Sequence, residues 1–443
     1  IVTRASLVET AVTFTERAEN ISKQLNDYQL NLNTQIKNQV ARINEIGDSL
    51  KELNLKIRNY EGSGVEHAND LRDQRNLLLD ELGKIADITY KETSNGVVNV
   101  NLEGVSFVNE TTVYHMDTVP IDDTTAMLKP VWTAHGNADV FNLDRVPSSE
   151  NDTDVGYLKG LLVARGQKQA KYTDIPKRED YDSDMAYNTA ILDYNKTIDS
   201  SVIATTQAQF DQLIHGIVTA INDIFCPNKE VTLPDGTKLK ILDEENAPVG
   251  MDADKTMGEA LFDRKSTPRY SDPQEIEIVN SEGITEVITA RVYNGEDRSD
   301  NYSLFTVGEI DVNRNILQNN SYIPLSSNTG SGDYDIKAAQ ELLSKWQEAN
   351  MTLSPNTLTK HNINDYYTAF ISEMANRGEQ LDTISTNQAS MVESIDNQRM
   401  AVTGVSSDEE LTNLIKYQHA YNAAARYVNV VSQMLEDIVT KLA

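Results

Sequence analysis

The sequence predicts an α+β multidomain protein in which a long helical bundle or coiled-coil frame, built from both chain ends, carries a small β unit and an inserted β-rich domain. All eleven prolines of the 443-residue chain lie between Pro120 and Pro355. Because proline is costly inside helices, the proline-free ends are predicted to be helical and the middle irregular and strand-rich. The predicted parts are a helical frame domain at 1–225 with its β unit at about 88–150, an inserted β-rich domain at 226–350, and C-terminal helices at 351–443 that return to the frame.

The N-terminal segment is predicted to form one very long helix with an apolar seam. Apolar residues recur at steps of three and four, the pattern of an amphipathic helix. The seam is Phe14, Ala18, Ile21, Leu25, Tyr28, Leu32, Ile36, Val40, Ile43, Ile46, Leu50, Leu53, Ile57 and Tyr60. Two glycines within 61–64 then predict a turn into a second helix at about 67–86. The pattern leaves open whether the seam packs inside its own domain or against another molecule.

Turn signals place strands in two parts of the chain. The Asn95-Gly96 pair predicts a hairpin of residues 88–92 and 97–102, followed by a third strand at 105–108. Beyond a helix predicted at about 190–225, the region 226–350 contains apolar and β-branched runs separated by turn residues. Those turns are predicted at 234–236, 281–283 and 294–296.

The last helix is predicted to be an assembly element. Ser407 and Glu410 have the spacing of a capping box, which satisfies otherwise unpaired backbone N–H groups at a helix start. A seam with coiled-coil spacing follows, weakened at Gln418 and Ser432. Its candidate subunit-assembly residues are Leu411, Leu414, Tyr421, Ala425, Val428, Leu435, Val439 and Leu442. A terminal helix with such a seam is expected to pack against another molecule.

Charge and composition exclude several classes of function. The formal net charge is −29, so the chain offers no dominant basic surface for nucleic acid or for an anionic membrane. No run of 18 apolar residues is present to span a bilayer. The single cysteine, Cys226, lies beside aromatic and aliphatic residues and is predicted to be a buried small hydrophobe.

The sequence carries no recognisable catalytic, cofactor or metal motif, and we expect neither enzyme activity nor a cofactor nor a metal. Its six histidines show no zinc-ligand spacing. The run Asp252–Gly258 partly matches a calcium loop, but its glycine is one position late, so a solvated acidic turn is favoured. Asp211 and His215 have i, i+4 spacing, for which pairing on a helix surface is the default interpretation.

Several segments resemble bacterial flagellar axial proteins. The C-terminal run 408–426 resembles the end shared by rod, hook and hook-associated proteins, and Asn397–Val405 resembles more narrowly the hook-associated protein 1 family (FlgK). The helix and hairpin at 68–108 are similar to the same family. So is the element 155–165, although Gly166 stands where the family pattern has aspartate and a polar insertion follows at 167–187.

The resemblance implies a secreted structural component of the extracellular bacterial flagellum at the hook–filament junction, which assembles through terminal coiled-coil helices. Its implied partners are copies of itself, the hook protein, the second junction protein, and an export chaperone at the C-terminal helix. The chain begins at Ile1, so we expect a fragment that lacks the N-terminal region, including the helix that would pair with 411–442. Alternatives are another axial protein such as hook or distal rod, a surface adhesin that uses the inserted β domain, and an enzyme hidden in that domain.

Overall fold

The computed structural model describes residues 2–62, 67–123, 125–143, 155–327, 337–403 and 407–442. The chain divides into two compact units, with the division between Met374 and Ala375. Long helices at both ends of the chain and several small antiparallel sheets between them make this an α+β multidomain fold, as predicted. The three-part domain division at 225 and 350 stays a prediction.

The first unit is built on α1 (Val2–Glu61), a single helix of 60 residues, as the apolar seam predicts. α2 (Asn69–Ile85) and α3 (Tyr157–Arg165) pack against it. The seam residues from Leu32 to Leu50 are buried in a core that includes Leu82 of α2 and Leu158 of α3. This part of the α1 seam therefore packs inside its own unit, which resolves the alternative that the sequence left open.

Two small three-stranded sheets complete this core. The first has the order β1 (Ile88–Glu92), β2 (Val98–Leu102) and β3 (Val105–Val108), which confirms the predicted hairpin and third strand. Its first turn closes with a hydrogen bond from the Thr93 N–H to the Val97 carbonyl, and Gly96 adopts a φ of 77°. The second sheet contains β4 (Met116–Pro120), β5 (Leu128–Trp132) and β6 (Ala138–Asp139).

The helix expected at about 190–225 differs from the prediction. α4 (Asp184–Tyr194) begins inside the predicted polar insertion, because the Ser183 hydroxyl caps it by accepting from the Ala186 N–H. A π-helical turn, Asn195–Asp199, follows. α5 (Val202–Phe225) then starts anew, with Ser201 as its cap. The prediction of one helix was wrong because two serine caps and the π turn divide it.

Strands follow α5, as predicted. β7 (Asn228–Thr232), β8 (Lys238–Leu242), β10 (Gln274–Val279) and β11 (Thr285–Ala290) form one antiparallel sheet in the order β11-β10-β7-β8. The turns predicted at 234–236 and 281–283 join β7 to β8 and β10 to β11. β9 (Phe262–Arg264) pairs with β12 (Ile310–Val312). The turn predicted at 294–296 joins no strand pair, since Glu296 enters a polar cluster described below.

Among the described residues, three α-helices lie between the strands and the last helix. α6 (Arg314–Gln318) and α7 (Lys337–Gln347) belong to the first unit, and α8 (Ile363–Thr403) begins there. The Asn362 side chain caps α8 by accepting from the Asp365 N–H. α9 (Ser407–Leu442) begins at the predicted residue. The turn expected between α8 and α9, at Gly404, lies outside the described residues.

Candidate assembly interface

The described seam residues of α9 are exposed to solvent. Leu411 is 58% exposed and Tyr421 is 75% exposed, and Leu414 and Val428 are similarly open. Ala425 is exposed as well. The side chains of Leu435, Val439 and Leu442 lie outside the described part of the structure. Within the described residues, the sequence-predicted seam is thus an unpaired apolar face. An isolated helix gains most of its stability only when such a face packs against another surface.

A second exposed seam, not predicted as an assembly element, runs along α8. Between Ala375 and Val402, every described side chain except that of Arg377 is exposed. Apolar residues repeat here with heptad spacing, and Val402 is 86% exposed. The exposed seam consists of Leu381, Ile384, Met391, Ile395 and Val402. The signal was present as a regular 3–4 spacing, but spacing alone does not distinguish internal packing from packing against another molecule.

The carboxylates of α8 between 375 and 402 lie away from its seam, whereas Arg377 occupies a seam position one heptad before Ile384. Heptad spacing puts Glu379 and Glu393 on the side of the helix opposite the seam, with Asp382 and Asp396 beside them. Among the positions that flank the seam between 375 and 402, only Arg399 is charged. A helix that packs on this seam therefore does not bring carboxylates together, although the chain is strongly acidic.

The N-terminal part of the α1 seam is also incompletely covered. Ile21 and Tyr28 are exposed, whereas Ala18 is buried with the core that α1 shares with α5. An apolar groove of about 580 Å³ runs beside Ile21, between α1, α5 and the start of α8. Phe14 and Tyr367 also line this groove.

A buried polar cluster joins α5 to the loop that follows β11. The Asp211 side chain, 5% exposed, accepts hydrogen bonds from the backbone N–H groups of Tyr172 and Val307, at 2.9 and 2.8 Å, and from the Thr306 hydroxyl. The prediction that Asp211 and His215 pair on a helix surface was wrong. The residues that bury Asp211 are far away in sequence, so the helical spacing could not reveal them.

His215 contributes to the same cluster through Glu296. The imidazole Nε2 lies 3.0 Å from Glu296 Oε2, and the ring stacks on Tyr172 with centroids 3.9 Å apart. The other Glu296 oxygen accepts from the Tyr172 hydroxyl and the Phe305 N–H. Both carboxylate oxygens are therefore occupied by hydrogen bonds within the protein, and the cluster ties three segments of the first unit together.

The surroundings shift the pKa values of the two carboxyl groups in opposite directions. Burial would raise the pKa of Glu296, but the hydrogen bond and positive field of His215, with the hydrogen bonds from Phe305 and Tyr172, lower it to about 2. Burial raises the pKa of Asp211 despite its three hydrogen-bond donors. Glu296 is thus held as a carboxylate whose charge contributes to folding.

The remaining candidate sites from the sequence have simple structural explanations. The Asp252 carboxylate accepts from the N–H and hydroxyl of Thr256, so this acidic loop closes on itself. Cys226 is fully buried, as predicted, and burial raises the pKa of its thiol to about 12. Among the described residues, no group of three His, Cys, Asp or Glu side chains is arranged to hold a metal ion. None of the described helices combines the length and apolar character that crossing a membrane requires.

Comparisons with known proteins agree on one family. Residues 1–226 match the family model described as the flagellar hook-associated protein FlgK helical domain, and residues 396–441 match the flagellar basal body rod FlgEFG protein C-terminal model. Flagellar hook-associated protein 1 of Salmonella typhimurium is 25% identical over 459 residues, which cover 98% of this chain and 76% of the relative. The corresponding protein of Escherichia coli K12 is 22% identical over 457 residues, with the same coverage of both chains.

The fold comparison points the same way. The flagellar hook junction protein FlgK from Burkholderia pseudomallei superimposes with a TM-score of 0.52 at 13% identity, covering 91% of this chain and 90% of that one. The helical-domain match includes α1 to α5, whereas the second match covers the C-terminal pattern shared among axial proteins. The first match separates this chain from the hook and rod alternatives, and the chain belongs to the FlgK family of flagellar hook-associated proteins.

Proposed function

We propose that this chain is a structural subunit of the junction between the flagellar hook and the filament, located outside the cell, and that it assembles through the exposed seams of α8 and α9. Family membership supports the role, and the exposed apolar seams carry the assembly mechanism. Such a role needs repeated interfaces related by helical symmetry and no catalytic group. The proposed partners are copies of this chain, the hook protein and the second junction protein.

The energetics of the α9 seam are consistent with symmetric assembly. Full burial of a side chain such as Leu411, Leu414 or Val428 contributes about 1.5–3 kcal/mol. Association costs roughly 4–15 kcal/mol for one pair of molecules, so a single short seam gives modest affinity. A ring or tube repeats the contact around every subunit, and the sum of many modest interfaces then holds the assembly together.

The β-rich region is proposed to face away from the assembly axis. In this proposal residues 226–350 form a domain held on the frame by the Asp211 and Glu296 contacts described above. The exposed C-terminal seam is also the proposed contact for an export chaperone, which would cover α9 before assembly. An apolar helix face that is free until assembly needs such protection, because unpartnered apolar surface favours aggregation.

The experiment that tests the proposal replaces three seam residues in the parent cell. Leu414, Tyr421 and Val428 are one heptad apart, and we expect their joint replacement by serine to give bare hooks and unpolymerised flagellin in the medium. Electron microscopy of the flagella and an immunoassay of the culture medium measure the two effects. Export of the variant itself is checked in the same medium.

A matched control uses the opposite face of the same helix. Lys416, Ala423 and Val430 have the same spacing on the side away from the seam. Their joint replacement by serine should leave filaments and motility normal. Normal filaments in the seam variant, or equal loss in both variants, would contradict assembly through this seam.

A further inference from the structure

A basic cavity lies on the first unit, away from the proposed assembly seams. It has a volume of about 320 Å³ and is formed by the middle of α5, the loop at 177–179 and the segment 345–363. Part of the lining is apolar and includes Ala220, Met351 and Ile363. A Cβ atom at Gly216 would lie 2.8 Å from Met351 Cε, so the glycine lets this methionine close one side of the cavity.

The charge of the lining is opposite in sign to that of the chain. Lys177, Lys345 and Lys360 line the cavity together with two carboxylates, Glu179 and Asp223, whereas the whole chain has 39 basic and 68 acidic residues. Asp223 accepts a hydrogen bond from Arg269 at 2.8 Å, which neutralises it. Lys345 pairs with Glu348.

The other two lysines remain for a ligand. Neither Lys177 nor Lys360 forms an ion pair with any residue in the described part of the chain. Glu179 is the one lining carboxylate without an ion pair to another described residue, so the two unpaired ammonium groups outnumber it at this cavity. This excess of positive charge favours an anionic ligand, because a charge-assisted hydrogen bond is stronger than a neutral one.

A buried amide supplies a further donor. Gln212 is 3% exposed and lines the cavity, and its Oε1 accepts from the Tyr366 hydroxyl at 3.1 Å. Its NH₂ group makes no hydrogen bond to any other described residue. The amide nitrogen is thus available to donate a hydrogen bond to an acceptor oxygen in the cavity. Asn350 adds a second amide to the lining.

We propose that this cavity binds a small hydroxylated carboxylate of the sugar-acid class. The two lysines would bind the carboxylate, the amides would bind hydroxyl oxygens, and the apolar lining would contact the C–H face of the ring. The volume is at the lower end of the range of about 300–1,000 Å³ usual for small-molecule sites, which limits the ligand to a single small unit. The proposal is independent of the assembly function.

Isothermal titration calorimetry of the full chain tests it with three probes. We expect glucuronate to bind at one site per chain, and glucose and succinate to bind at least roughly tenfold more weakly, since glucose lacks the carboxylate and succinate the hydroxyls. The His215 ring also lines the cavity, so its NMR resonances should shift on addition of glucuronate.

Paired variants locate the site. The double variant K177Q/K360Q should weaken glucuronate binding by roughly tenfold or more, because each lost charge-assisted contact costs over 1 kcal/mol. K37Q/K84Q removes the same charge from exposed positions of α1 and α2 and should bind as the unmodified chain does. Absence of glucuronate binding, equal binding by K177Q/K360Q, or equally tight binding of glucose or succinate would overturn the proposal.

Discussion

Replacement of Glu296 by glutamine removes the charge at the centre of the cluster that joins α5 to the loop after β11. The pKa of Glu296 is held at about 2, against an ordinary value of 4.5. A tenfold change in proton affinity between the folded and unfolded protein corresponds to about 1.4 kcal/mol, so the carboxylate contributes roughly 3 kcal/mol to the free energy of unfolding at neutral pH. Because the folded-state pKa is lowered, this contribution is complete above about pH 4.5 and is lost as the pH falls towards 2.

The assay is urea unfolding of the first unit followed by circular dichroism between pH 2 and pH 7. At pH 7 we expect the E296Q variant to be less stable than the unmodified protein by about 3 kcal/mol, and this difference should shrink as the pH falls below 4.5. The control E277Q changes an exposed glutamate on β10 and should leave stability nearly unchanged. A difference between E296Q and the unmodified protein that stays constant with pH would refute the electrostatic reasoning. Equal stability at pH 7 would refute the role of the cluster.

Three further substitutions test separate parts of the fold by the same unfolding assay. Burial, and then repulsion from Glu259, raises the pKa of Asp263 to about 6. D263N should therefore be more stable than the unmodified protein by up to about 3 kcal/mol above pH 6. This advantage should vanish near pH 4. G156A, at the residue before α3, should lower the free energy of unfolding by about 2–5 kcal/mol, because the new Cβ would lie 2.8 Å from the Ala86 Cα at a φ of 94°. G160A, inside α3, has free space and should not be destabilised, and equal effects of the two substitutions would contradict this packing. The Asn54 side chain hydrogen-bonds to both the N–H and the carbonyl of Val98, so N54A should lower the free energy of unfolding by about 2–4 kcal/mol. N59A, at an exposed position of α1, should change it little, and similar values for the two variants would reject the contribution of this pairing.

The elements that the sequence predicted well depend on local chemistry. The 60-residue α1 follows from a seam of apolar residues without proline, and the β1–β2 hairpin follows from the Asn95-Gly96 turn. The signal for the start of the last helix lies within the four residues 407–410, and α9 begins at Ser407. Each of these signals acts between neighbours in the chain, so no knowledge of distant contacts is needed.

The errors in the prediction have an equally physical origin. The break between α4 and α5 depends on Ser201, whose hydroxyl also donates to the Ala164 carbonyl of α3. A serine inside an apolar helix pattern is compatible with either a continuous helix or a cap. The tertiary contact decides between them, and residue spacing does not record it.

The sequence by itself determined the fold class, the family and the helices that carry apolar seams, because periodicity, turn residues and motif resemblance are local properties of the chain. Only the tertiary structure decided how those seams are used. It buries Ile43 of α1 inside the first unit and leaves Leu414 of α9 exposed, although both belong to similar repeats. It also places Asp211 against Thr306 and Val307, 95 and 96 residues away along the chain. Burial depends on which surfaces meet in space, and an amphipathic repeat specifies an apolar face without specifying the surface that covers it.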